Sequence, residues 1–131
     1  MSDSVNRAQD SELSIISAIA ASDQDCPVLM MNMNKYKPEA GFPGGDLYES
    51  YMGVLADLLR QVGAKILWRS ASYGQPVGDH DIDEILAVWF PSHQAWLNLS
   101  NLPDAKENFR LRKLSVQSAV IHRCDGKATF D

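Results

Sequence analysis

Apolar residues along this chain follow two spacings. Short runs apolar on alternate positions or on both faces occupy Val28 to about Tyr36, Ala64 or Lys65 to about Tyr73, Glu84 to Phe90, and Gln117 to Cys124. They predict four strands, because side chains of an extended chain alternate between two faces. Elsewhere apolar residues return every third or fourth position, the helical spacing. Residues 10–22 place Leu13, Ile16, Ile19 and Ala20 on one face, with Asp10 or Ser11 as the cap. Leu47 to Val62 carries a stripe of Leu47, Tyr51, Val54, Leu55, Leu58 and Val62 behind an Asp46 cap, and Gly63 stands where a helix ends left-handed. Ser92 caps a further helix that breaks near Asn101, and Pro103 opens the helical segment Asp104 to Leu114. Residues 37–45 (KPEAGFPGG) and Gly74 to Asp83 predict loops, and residues 1–9 predict a disordered start.

After the N-terminal helix the order is β-α-β-β-α-β. That order specifies an α+β, ferredoxin-like split βαβ fold with an antiparallel sheet. The chain divides into an extension with a short amphipathic helix (1–25), the ferredoxin-like domain (26–126) and a tail (127–131). Both core helices are expected on one sheet face. The other face would then expose apolar side chains, which are rarely left in water. Face-to-face pairing of two copies as a homodimer would cover it. The apolar face of the N-terminal helix likewise predicts docking on the body or on the partner.

Length and composition are those of one globular domain. A net charge of −5 argues against nucleic-acid or anionic-membrane partners, and no apolar run approaches the ~20 residues of a membrane span. Residues 10–22 lack the basic start of a secretory signal. Residues 1–105 hold 14 acids and 6 bases, while residues 106–131 hold 6 bases and 3 acids, so the final helix is basic on an acidic body. Cys26 precedes the first strand and Cys124 ends the last, which makes them neighbours at one sheet edge. Two reduced thiols of a cytoplasmic protein are expected there.

Several residues then carry a resemblance. Asn32 and Asn34 lie in the first strand, Tyr48 and Tyr51 on the first core helix, and Phe90-Pro91-Ser92 at a strand-to-helix junction. Ala95 and Trp96 follow, then the basic Arg110/Arg112/Lys113 group and a closing Asp125-Gly126. Over about residues 28–126 the chain resembles the DUF1330 family of the dimeric α+β barrel superfamily. The resemblance implies a symmetric dimer whose sheets pack into a barrel, with a small-molecule cleft beneath the helices. The 25-residue extension departs from the family pattern, as does the absence of a clear Tyr after Trp96. Haem-degrading monooxygenases of the same superfamily use a strand-1 Asn with a Trp and a His. Their haem-ligating His lies about three turns into the helix, where Asn98 to Asn101 contains none.

Asn32 and Asn34 are the leading polar candidates, because amides on an inward strand face must find partners. His93, at a cleft-edge helix start, suits general acid–base work. Arg112 is expected to anchor an anion. Tyr48, Tyr51, Trp68, Trp89, Phe90, Trp96 and His122 are expected to line the site, with Trp68 and Trp89 pairing across adjacent strands. The acidic turn Asp79, His80, Asp81, Asp83 and Glu84 lacks the spacing of a calcium loop and is expected to be a solvated hairpin tip, so no metal site is assigned. Phosphate-binding, zinc-protease and esterase motifs are absent. The expected function is therefore a dimeric enzyme working without a bound cofactor (an isomerase, cyclase or oxygenase-like reaction) on an apolar or aromatic metabolite. Non-catalytic binding in the same cleft is the alternative.

Overall fold

The structure, a computed structural model, describes residues 8–127. The disorder expected of residues 1–9 falls, for residues 1–7, outside the described residues, as do residues 128–131 of the tail. In chain order the elements are α1 (Asp10–Ala20), β1 (Val28–Tyr36), a 3-10 turn (Pro38–Ala40), α2 (Asp46–Gln61), β2 (Lys65–Ala71) and β3 (Glu84–Phe90). Then come α3 (His93–Asn98), which runs into a 3-10 turn (Leu99–Asn101), α4 (Ala105–Ser115) and β4 (Val116–Asp125). The four strands form one antiparallel sheet in the order β2-β3-β1-β4, the ferredoxin-like topology.

Element ends show which local signals governed. Ser92 caps α3, its Oγ accepting the Ala95 N–H at 3.0 Å. Gly63 adopts φ +76°, and the Gly63 and Ala64 N–H groups close back on the Arg60 and Leu59 carbonyls at 3.2 and 2.9 Å. That is the double turn for which glycine is favoured. The other two caps differ from expectation. Asp10 and Asp46 are the first residues inside α1 and α2, behind Gln9 and Gly45, and neither helix has a side-chain cap. Both acids still lie in first turns, where the helix dipole favours negative charge. β2 ends at Ala71 rather than near Tyr73, opposite Glu84 where β3 begins. β4 is longer than expected because β1 pairs with it throughout, from Val28↔Asp125 to Tyr36↔Val116.

The core fills the helix-bearing sheet face. Val28, Met30 and Tyr36 of β1 and Leu86, Val88 and Phe90 of β3 meet Tyr48, Tyr51, Met52 and Leu59 of α2 and Leu111 of α4. The buried stripe of α2 is rotated from the expected one: Tyr48, Tyr51, Met52, Leu58 and Leu59 are buried, while Leu47, Val54, Leu55 and Val62 are half-buried. The reason is that α2 packs against α4 as well as the sheet, which turns its apolar arc toward the gap between them. α1 docks on the body as expected. It packs against α3, buries Ile16, and pairs Glu12 with Arg123 of β4 at 2.9 Å.

On the opposite face, register aligns Leu29, Met31 and Met33 of β1 with Trp89, Ala87 and Ile85 of β3. Flanking Trp68 of β2 and Val120 of β4 are 46% and 36% exposed. Cys26 and Cys124 are both free thiols. Among the described residues no helix is long and apolar enough to cross a membrane.

Gly126 holds β1 and β4 together at their shared end. Its N–H donates to Pro27 O at 3.2 Å and its carbonyl accepts from Trp89 Nε1 at 3.0 Å. A Cβ at this position would overlap backbone atoms of Pro27 and Val28, whereas one at Gly74 meets nothing within 4 Å. Gly126→Ala is expected to cost about 2 kcal/mol or more, and Gly74→Ala to stay within about 0.5 kcal/mol. Urea unfolding of the two variants checks this.

Candidate functional site

The densest buried polar chemistry lies where β1 ends and β3 begins. Asn34 and Glu84 are register partners on the helix side of these strands. Both are buried, at 2% and 4% exposure. Tyr36 follows two residues after Asn34 on the same face, and Tyr48 descends from the first turn of α2. Tyr36 Oη donates to Glu84 Oε1 at 2.6 Å, and Tyr48 Oη donates to Glu84 Oε2 at 2.7 Å. Asn34 Nδ2 donates to the Tyr36 oxygen at 3.3 Å. Proton direction is thereby set: amide to phenol to carboxylate, with a second phenol arriving from α2. One acceptor is left over, since Asn34 Oδ1 is buried without a partner.

Burial first, and the Glu84 carboxylate second, hold both phenols well above the usual tyrosine range. Both therefore remain neutral donors. Phe42, from the loop before α2, closes the cluster. Its ring stacks on Tyr36 at 5.1 Å and 22° and meets Tyr48 edge-on at 5.0 Å and 82°. Asp83 pins the strand end by accepting the Tyr36 N–H at 2.8 Å, and Lys35 pairs with Asp81 and Asp83 at 3.3 and 3.4 Å. The supposed solvated tip is thus only partly so: Asp81 and Asp83 bind Lys35, and Glu84 is interior. No three of the described His, Cys, Asp or Glu residues stand together as a metal site.

Other expected residues are dispersed. Asn32 is half-buried on the same face as Asn34, its Nδ2 donating to Met30 O at 3.0 Å. Arg112 Nη1 donates to the buried Tyr51 hydroxyl at 2.9 Å, so the expected anion anchor is engaged inside the helix layer. Phe90 is core, and Trp96 packs half-buried against it. His122 lies opposite Met31 on the helix-free face, together with Trp68 and Trp89. The tryptophans do not pair as expected. A bulge between Ile66 and Trp68 sets Trp68 opposite Ala87, and Trp89 is instead covered by the Lys65 ammonium, 5.4 Å from its ring centre.

His93 belongs to a different end of the molecule. Phe90 stands six positions after Glu84 along β3, about 20 Å at ~3.3 Å per residue, and His93 lies beyond Phe90. It is buried rather than at a cleft edge, at 3% exposure. Asp25, in the linker after α1, accepts the His93 and Gln94 N–H groups at 2.7 and 3.1 Å and its own neighbour Cys26 N–H at 2.8 Å. Its Oδ1 also lies 3.0 Å from His93 Nδ1. Burial opposes ionisation of Asp25, but these donors outweigh it and hold the carboxyl below its usual range. The arrangement fastens the extension onto the start of α3, and it leaves the other ring nitrogen, His93 Nε2, buried without a partner.

Sequence reasoning passed over Tyr36 and Asp25 and took Glu84 for part of a solvated hairpin tip. A signal for Glu84 did exist: it opens the run EILAVWF in phase with the inward Leu86, Val88 and Phe90. Asp25 carried none, because its partners are 68 residues away.

No family model matches the chain, and no curated protein matches it. Among solved structures, the fold is similar to that of RPA0582, a protein of unknown function from Rhodopseudomonas palustris. The TM-score is 0.76 at 19% identity, over 94% of this chain and 97% of that one. The methylated RPA0582 protein matches with a TM-score of 0.75 at 19% identity, over 91% and 92% of the two chains.

Tyr48→Phe is expected to cost about 1.5–3 kcal/mol, the worth of a hydrogen bond to a charged acceptor. The folded state keeps phenol protons that the unfolded chain releases above about pH 10, so stability falls as pH rises past that point. Tyr48→Phe should flatten this alkaline fall, as read by urea unfolding across pH 8–11. Asp25→Ala is expected to cost about 1–2 kcal/mol at pH 7 through the lost cap. Because the folded carboxyl is depressed, its contribution is present above about pH 4 and is lost as pH falls through the folded value. The gap between Asp25→Ala and wild type should therefore narrow in acid.

Proposed function

We propose that this chain is a homodimeric small-molecule protein of the kind its resemblance to DUF1330 implies. Its ligand, an apolar or aromatic metabolite, lies beneath the helices against Asn34, Tyr36, Tyr48 and Glu84, and the chemistry is cofactor-independent proton transfer. The observation that carries this reading is the Asn34 carboxamide. Its Nδ2 is committed to Tyr36, and its Oδ1 is a buried acceptor with no donor. An unmade hydrogen bond of this kind costs about 1–3 kcal/mol, which a ligand hydroxyl or N–H recovers. Around it stand aromatic rings and a buried carboxylate, the combination of apolar walls and a few polar groups that suits small molecules.

A phenol oxygen that takes a proton from substrate can release its own to Glu84, so Tyr48–Glu84–Tyr36 forms a relay with two ends. Isomerisation needs such a pair, one group removing a proton and another returning it. The roles expected of His93 and Arg112 pass to this cluster, since His93 is held by Asp25 at the far end of the sheet and Arg112 by Tyr51. Asn32, two residues from Asn34 on the same face, is placed to touch the same ligand. Both Glu84 oxygens already accept a hydrogen bond, which favours a second reading, ligand retention without turnover. Dimerisation is supported by the apolar helix-free face, with Met31, Met33, Ile85 and Trp89 at its centre.

Two measurements test the proposal. Native mass spectrometry should give a dimer of two 14.5 kDa chains, and a monomer would overturn the barrel. Saturation-transfer NMR with a mixture of aromatic acids, alcohols and amines should show bound compounds whose signals vanish in Asn34→Leu. Equal saturation in that variant removes the site.

A further inference from the structure

The side chain of His93 is bonded through one ring nitrogen only. Asp25 is ionised, its carboxyl lying below the usual range, and a carboxylate accepts hydrogen bonds without donating. The 3.0 Å contact between Nδ1 and Asp25 Oδ1 therefore places the ring proton on Nδ1. In the neutral imidazole the other nitrogen, Nε2, is then a bare acceptor. It is buried, on a side chain 4% exposed, and no donor among the described residues reaches it. The fastening of the extension does not use it. Asp25 receives the backbone N–H groups of His93, Gln94 and Cys26 and the Nδ1 proton, and nothing in that set involves Nε2. An asparagine at position 93 could offer Asp25 the same proton without burying a second lone pair, so the clamp alone does not account for an imidazole here.

We infer that the Asp25–His93 pair forms a second small-molecule site, in which Nε2 accepts the hydrogen bond of a ligand O–H or N–H and acts as the base toward it. This is independent of the reading of the Glu84 cluster, which lies at the other end of β3. The ligand class follows from hydrogen-bond direction and from the surroundings. A bare acceptor requires the ligand to bring the proton. Around it α1 packs on α3, Ile16 and Ala95 belong to the core, and Trp96 and Leu97 lie against that core, so the rest of the ligand is small and apolar. Asp25 is the positioning residue. A carboxylate behind an imidazole fixes its tautomer, aims the ring and stabilises its charge once Nε2 takes a proton. In that transfer the ligand O–H or N–H bond breaks, its electron pair stays on the ligand, and the charged ring faces the Asp25 carboxylate.

Phenol and fluorobenzene are the probes: they are close in size, and only phenol has a proton to give. Each is titrated into ¹⁵N-labelled protein and followed at the ring nitrogens of His93 and the backbone amide of Ala95. In the free protein Nδ1 should be protonated and Nε2 bare. Phenol should shift both the Nε2 and Ala95 resonances saturably and bind about tenfold more tightly than fluorobenzene, the worth of one hydrogen bond. His93→Asn keeps a donor for Asp25 and deletes the acceptor, so it should stay folded and lose the preference for phenol at Ala95. Asp25→Ala should move the ring proton toward Nε2 and weaken phenol, a spectroscopic change that loss of a clamp alone would not produce. A free protein with its proton on Nε2 overturns the inference. So does equal affinity for the two probes, or a bare Nε2 that phenol does not shift, which marks an internal water only. Phenol shifts at Asn34 with none at His93 overturn the second site and leave the Glu84 reading standing.

Discussion

Glu84 is a carboxylate at the start of a central strand, facing inward. Desolvating such a charge costs several kcal/mol, and removing its partners would leave that cost uncompensated. The surrounding structure is arranged to prevent this. Two phenols donate to its two oxygens from elements far apart in sequence, Tyr36 at the end of β1 and Tyr48 in the first turn of α2. Each hydrogen bond holds only if its element ends in the right place. The phase of α2, the length of β1 and the entry of β3 are therefore coupled through one side chain. Phe42 and its loop then seal the cluster against water, which strengthens the hydrogen bonds inside.

The length of β3 separates two polar assemblies. Near Glu84 the groups form a directed chain from amide to phenol to carboxylate, with Asn34 Oδ1 left buried and unpartnered. Near His93 a single carboxylate gathers three backbone N–H groups and one imidazole nitrogen, and the other nitrogen, Nε2, is buried without a partner. Strand register keeps Asn34 and His93 apart, since Asn34 lies at the Glu84 end of the β1–β3 pair and α3, with His93, follows the Phe90 end. The helix-free face is distinct from both. It is apolar in its middle and is bordered by Lys65 over Trp89 and by His122 beside Met31.

Much of the architecture was legible in the chain itself. Strand and helix periods, the Ser92 cap, the Gly63 turn and the β-α-β-β-α-β order depend on neighbours within a few residues, and those are visible in a linear string. The order of elements then implies the strand order, because connections of this kind admit few topologies. Asn34 was marked as significant by its phase in β1, and the same phase in β3 marks Glu84.

Tertiary structure alone decided which polar groups meet. Tyr36 and Glu84 are 48 residues apart, Arg112 and Tyr51 are 61 apart, and Asp25 and His93 are 68 apart. No local rule predicts such pairings, since they depend on strand register, on the rotation of α2 toward α4 and on where the linker after α1 crosses α3. Periodicity tells which face a side chain takes. Only packing tells which partner waits there, because hydrogen bonding requires ångström-level placement, whereas burial requires only the correct side of the sheet.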